Sequence, residues 1–204
     1  TTVSPSASAF HVALPALSAS TYWFSATASS KPYIAKATAT ATTAGKYYQT
    51  TVKMATIGDV ILSDGKFAPS SSTGTKVAKI FYVGSDAETS TTYNHGLALA
   101  LADVSGKQKW CSQYGATCLT TQYSSEAAAK TDIAGIDNTD ALVNHTGHTH
   151  NAASAARNYN SGTHPTGTSA WFLPSAGQWH KMATAAGGYA TLKANAGLAY
   201  ESDF

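Results

Sequence analysis

Apolar and polar positions alternate in short runs over the first 55 residues, and turn residues separate the runs. Phe10-His11-Val12-Ala13-Leu14 alternates until Pro15 stops it, and Thr21-Tyr22-Trp23-Phe24-Ser25-Ala26 is a second, aromatic run. Between 33 and 43 the chain alternates Ala with Thr or Lys, a pattern that suits a half-buried strand turning small residues inward. Ala44-Gly45 marks a turn, and Tyr47-Tyr48-Gln49-Thr50-Thr51-Val52-Lys53-Met54 predicts a further strand. Four strands at this spacing predict part of a β-sandwich, and so small a piece needs a partner or further strands to bury its surface.

The pattern changes near residue 57. Gly58-Asp59-Val60-Ile61-Leu62 reads as a strand, and Asp64-Gly65 as a hairpin turn. Residues 68–75 are a Pro/Ser/Thr/Gly loop, and Val77-Ala78-Lys79-Ile80-Phe81-Tyr82-Val83 is the clearest strand of the chain. Leu97, Leu99 and Leu101 share a face only at period two, so 96–102 is predicted as a strand despite its helix-forming composition. Helices follow: 125–130, the Ala-rich 151–159 with Arg157 in its last turn, and one opened by Pro174 and Ser175 that Gly187-Gly188 ends. A last helix runs from 189 to 195, closed by Gly197. The expected fold is therefore α+β, with a β-rich segment over 1–55 and a mixed unit over 56–204.

Composition narrows the function classes. Charged residues make up 12% of the 204, about half the usual share, so Thr, Ser, Asn, Gln and Tyr must supply the polar surface. Such a composition is common in extracellular β-proteins. The net charge is +2, Arg157 is the single arginine, and no basic stripe forms, which argues against nucleic-acid binding. No apolar run reaches the roughly 20 residues of a membrane helix. The opening Thr1-Thr2-Val3-Ser4-Pro5 lacks the basic and apolar regions of a leader, so export implies one outside these residues.

Four segments could carry chemistry. His145, His148 and His150 lie within six residues; three imidazoles can converge on one ion such as zinc if His145 folds back across Gly147. The competing reading is a polar loop of solvated histidines. Asp132, Asp137, Asn138 and Asp140 could offer oxygen ligands to calcium, or could form Asx-turns and a helix N-cap at Thr139 or Asp140. Cys111 and Cys118 are close enough to form a disulfide loop, or are two small thiols. Trp171-Phe172-Leu173-Pro174-Ser175-Ala176-Gly177-Gln178-Trp179 is an aromatic strand that breaks into an amphipathic helix. Its Trp171, Leu173, Trp179 and Met182 are predicted to pack inward, with Gln178 and Lys181 facing outward or capping loops. No nucleophile elbow, helical zinc motif or phosphate loop is present, so no catalytic residue is assigned.

Residues 171–179 resemble the W-x-L-P-(S/T)-x-x-(E/Q)-W signature of C-type-lectin-fold domains, in the branch shared with formylglycine-generating enzymes and with variable proteins of diversity-generating retroelements. Trp171, Leu173, Pro174, Gln178 and Trp179 carry the resemblance, which extends over about 57–204. Ala44-Gly45-Lys46-Tyr47-Tyr48-Gln49-Thr50-Thr51-Val52-Lys53-Met54, with the runs at 10–16 and 22–26, resembles the end of a fimbrillin domain of gut Bacteroidetes. Together these imply a cell-surface adhesin or pilus-tip component at the bacterial surface or fimbrium. It would bind a glycan or protein ligand through a lectin-like domain and assemble with other pilus subunits by strand addition. The alternatives are a stalk subunit without a ligand and a metal-dependent enzyme built on the histidine loop. Lectin-fold relatives continue beyond the point matching Glu201-Ser202-Asp203-Phe204 into the ligand-facing strands, so 56–204 reads as a truncated domain. The resemblance therefore places no ligand-contacting residue in this chain. Cys111 and Cys118 do not map onto the catalytic pair of the formylglycine branch, so no enzymatic activity is expected.

Overall fold

A computed structural model describes residues 16, 18–39, 41–46, 52–113, 119 and 121–197. The fold is mixed α+β. Strands β1 (Ser20–Ala28) and β2 (Lys31–Ala39) form an antiparallel hairpin. The second sheet is antiparallel, in the order β4-β3-β5-β6, with β3 at Val60–Leu62, β4 at Phe67–Ala68, β5 at Lys76–Val83 and β6 at Gly96–Ala100. Helices α1 (Glu126–Ala129), α2 (Gly135–Val143), α3 (Asn151–Arg157), α4 (Ala176–Ala186) and α5 (Tyr189–Ala196) follow, with a 3-10 turn at Tyr159–Gly162.

The second sheet has a core on each face. Ile61, Ala78, Ile80 and Val83 share one cluster with Ile34 of the hairpin and with Ala55, and Trp23 and Trp171 pack against it. Phe81 and Leu97 turn to the other face, where Met182 and Ala183 of α4 and Leu192 of α5 complete the second cluster. Alternation sets Phe81 opposite Ile80, and the register shift between Ile80 and Tyr82 returns Val83 to the Ile80 face. Beside Ile34, the hairpin docks through a cross-strand pair in which Trp23 faces Lys36. The Trp23 ring lies 6.2 Å from that of Phe67, and the Lys36 ammonium lies 5.4 Å from the same ring.

Several expectations change. The strand expected over 47–54 is absent from its described part, 52–54; Ala55 instead makes one bridge to Ile34. The run at 10–14 lies outside the described residues. The acidic stretch is not a loop with a cap at Thr139 or Asp140. Asp132 forms an Asx-turn with the Ala134 N–H, and from Gly135 on the stretch is helix α2, whose N-cap position Ala134 makes no side-chain bond; Thr139 lies within it, fully buried. Leu101 lies beyond β6 and is 46% exposed, so Leu97 and Leu99 alone serve the core.

Candidate functional site

The W-x-L-P segment is held by polar bonds that reach across the fold. Ser175 caps α4 and Gln178 completes a capping box, its side-chain oxygen accepting the Ser175 N–H at 3.1 Å. Gln178 does not face outward. It is completely buried, and its amide nitrogen donates to the Ala87 carbonyl (3.0 Å) and to Glu88 Oε2 (2.9 Å). Glu88 is also buried; its carboxylate accepts the Thr89 N–H and hydroxyl and the Ile136 N–H at the start of α2. Both oxygens of this carboxylate thus meet donors, as a buried polar group requires. Thr139 accepts the Leu173 N–H at 3.0 Å and donates to Gly135, tying α2 to the extended segment before Pro174. Gly177 is forced by proximity: a Cβ there would lie 2.1 Å from the Asp132 carbonyl oxygen.

The other side of this segment is open. A cleft of about 710 Å³ runs between residues 165–174 and β6. Trp23, Ile80 and Trp171 of the first core line it, as do Phe172, Trp179 and Met182 of the second, so the cleft wraps around the edge of β6. Trp171 is fixed by an indole N–H bond to Thr163 (2.8 Å) and an edge contact with Tyr159. His95 lies against Trp23 with ring centres 4.2 Å apart, and burial lowers its pKa, so a neutral imidazole forms part of the wall.

β6 is an edge strand. It pairs with β5 alone. Ala78 and Ile80 stand opposite Ala100 and Ala98, and Ile80 spends its N–H and carbonyl on Asp59 and Gly58, away from β6. The alternation of an antiparallel ladder therefore turns the N–H and C=O of Ala98 and Ala100 away from β5 and into the cleft. Outside the β5 ladder, neither residue makes a backbone hydrogen bond to another described residue.

The histidine loop does gather. His145 folds back over Gly147, its Nδ1 accepting the N–H of Gly147 (3.1 Å) and of His148 (3.3 Å). The His145 ring centre lies 4.8 Å from that of His148 and 5.3 Å from that of His150, and the His148 and His150 centres lie 6.2 Å apart. His150 is 1% exposed, and neither ring nitrogen has a hydrogen-bond partner. Residues 109–112 cover it, through the Ser112 N–H bond to Thr149 and the Ala152 N–H bond to Lys109.

The acidic residues do not gather. Asp132 accepts from Ala134 and Asn138, Asp137 lies 3.3 Å from the Thr89 hydroxyl that it shares with Glu88, and Asp140 pairs with Arg157. These bonds explain the carboxylates structurally and bring no calcium cage together. Cys111 is half-buried, and its proposed partner Cys118 lies outside the described residues.

Sequence reasoning singled out Trp171, Leu173, Pro174, Gln178 and Trp179, all of which belong to this region, with Trp171, Leu173, Pro174 and Trp179 lining the cleft. It missed Glu88 and Thr139 as the buried anchors, and the free edge of β6. A threonine four residues after a glycine, inside an amphipathic stretch, was a signal for Thr139; the others had none in the local sequence. No protein family, no curated protein and no solved structure matches the chain. No described helix is long and apolar enough to cross a membrane.

Proposed function

We propose that this chain is a non-catalytic binding protein of a bacterial surface or fimbrium, an adhesin or pilus-tip component, that takes an extended apolar segment of another polypeptide as an added strand on β6. The observation that carries this reading is the cleft around the unpaired edge at Ala98 and Ala100. A strand laid there would satisfy those backbone groups and send alternate side chains into the two cores, because the cleft reaches both faces of the sheet. Its walls are apolar and aromatic, which suits a polypeptide better than a glycan; a glycan needs a denser set of polar partners. The W-x-L-P signature, with the fimbrillin-like segment before it, supports a lectin-like binding module carried on a surface protein.

The test is binding of the purified chain to ten-residue peptides with apolar residues at alternate positions, run beside a glycan array. Peptide binding that Ala100→Pro weakens about tenfold or more is expected, since proline removes one outward N–H and leaves the β5 pairing intact. Glycan capture without peptide binding would contradict the reading. Self-association that Ala100→Pro abolishes, without peptide binding, would make the occupant another copy and the chain a structural subunit.

A further inference from the structure

We propose that the 145–150 loop is a binding site for one borderline divalent transition-metal ion such as zinc, with His145, His148 and His150 as its protein ligands. Two observations converge on it. Three imidazoles on one tetrahedral ion place their ring centres about 5 Å apart, and the three rings here stand 4.8, 5.3 and 6.2 Å apart, with His145 stacked on His148 at 27°, so His145 must turn before their in-plane lone pairs can meet. His150 is 1% exposed with both nitrogens unpartnered, and a buried polar group left in that state costs about 1–3 kcal/mol unless something bonds to it. Imidazole-only sites suit the borderline metals and not calcium or magnesium.

The loop is gathered but not yet closed. Among the described residues no three His, Cys, Asp or Glu groups are placed to hold a metal ion as they stand. The obstacle is His145, whose Nδ1 is occupied by the backbone N–H groups of Gly147 and His148. Closure requires that ring to leave both amides and turn across residue 147. Gly147 already admits the ring at close range: a Cβ there would lie 2.8 Å from His145 Cε1. Metal entry is therefore coupled to release of two specific backbone amides, which distinguishes this site from adventitious binding by a lone surface histidine.

The experiment uses the full chain without a histidine tag, titrated with zinc by calorimetry and with cobalt by absorbance, alongside His145→Asn, His148→Asn and the double variant. One equivalent is expected to bind, with a tetrahedral cobalt spectrum, and each single substitution is expected to weaken it about tenfold or more. In amide-resolved NMR, the Gly147 and His148 N–H resonances are expected to move on metal addition, with the Gln178 and Ser175 amides still. His148 is only half-buried, so its variant is expected to keep the wild-type melting temperature. No binding at millimolar zinc would overturn the proposal. So would binding that survives the double variant, or binding that leaves the Gly147 and His148 amides unmoved.

Discussion

Gln178 and His150 are buried to the same degree, at 0% and 1% exposure, yet they live in opposite circumstances. The Gln178 amide is bonded at both ends, to Ser175, Ala87 and Glu88. The His150 ring is bonded at neither. Ala98 and Ala100 are a third case: half-buried, they turn their outward backbone groups to the open cleft. Satisfied buried polar groups fix architecture, because each removes a desolvation cost and specifies one packing. Unsatisfied ones leave that cost standing, and it is recovered only when something arrives. The same chain thus separates what holds it together from what it offers to partners.

The sharpest way to break the comparison is to remove Gln178. Gln178→Leu keeps the volume but leaves the Ala87 carbonyl and the Ser175 N–H without their partner and takes one donor from the Glu88 carboxylate. The expected loss is about 3 kcal/mol, read as a fall in denaturant midpoint. Next comes Gly177→Ala, whose Cβ would press on the Asp132 carbonyl oxygen at 2.1 Å. Overpacking of this kind costs about 2 kcal/mol, and thermal melting reads it. His150→Leu is expected to move the other way: an apolar side chain of similar size removes two orphaned nitrogens, so the metal-free protein should gain up to about 1 kcal/mol. A loss as large as that of Gln178→Leu would show that His150 has a partner after all.

The smallest effect is on pH dependence. Burial, with the bond to Asp86, raises the Tyr82 hydroxyl from 10.0 to about 12. Its contribution to stability is therefore complete below pH 10 and is lost as pH rises through about 12. Asp86 behaves oppositely. Its bonds to Lys181 and then Tyr82 lower its pKa below 3.8, so its contribution is present above that value and is lost as pH falls through the lowered one. Tyr82→Phe should flatten the alkaline limb and leave stability near neutrality almost unchanged, because Asp86 is largely solvent-exposed. A pH scan of melting temperature checks both limbs.

How much was legible followed from how local the cause was. Ser175 with Gln178 three residues on, Gly187 and Gly197 mark α4 and α5 by neighbouring chemistry, and the structure places those ends accordingly. The Asp64-Gly65 turn and the strand through 77–83 are equally local. Helix α2 was missed because its Asp, Asn and Thr content favours turns. Bonds from Glu88 to Ile136 and from Thr139 to Leu173 override that preference, and neither is visible within ten residues. The β1–β2 turn was missed because Ser29 and Ser30, with φ of 49° and 62°, adopt the conformation that Asn-Gly usually announces. The histidine cluster was legible as a composition, and His145 folding across Gly147 as a geometry. The burial of His150 was not, since it depends on residues 109–112 lying across the loop. The cleft was least legible of all: it exists only because the strand order leaves β6 at an edge.

That edge is also where the account is most directly tested, by amide hydrogen exchange along β6 with and without an apolar strand peptide. In the free chain the outward N–H groups of Ala98 and Ala100 should exchange faster than that of Leu99, which faces β5. Adding the peptide should slow Ala98 and Ala100 by at least about tenfold and leave Leu99 little changed. If Ala98 and Ala100 are already as slow as Leu99 in the free chain, or stay fast with the peptide bound, β6 is not an open edge for a partner strand.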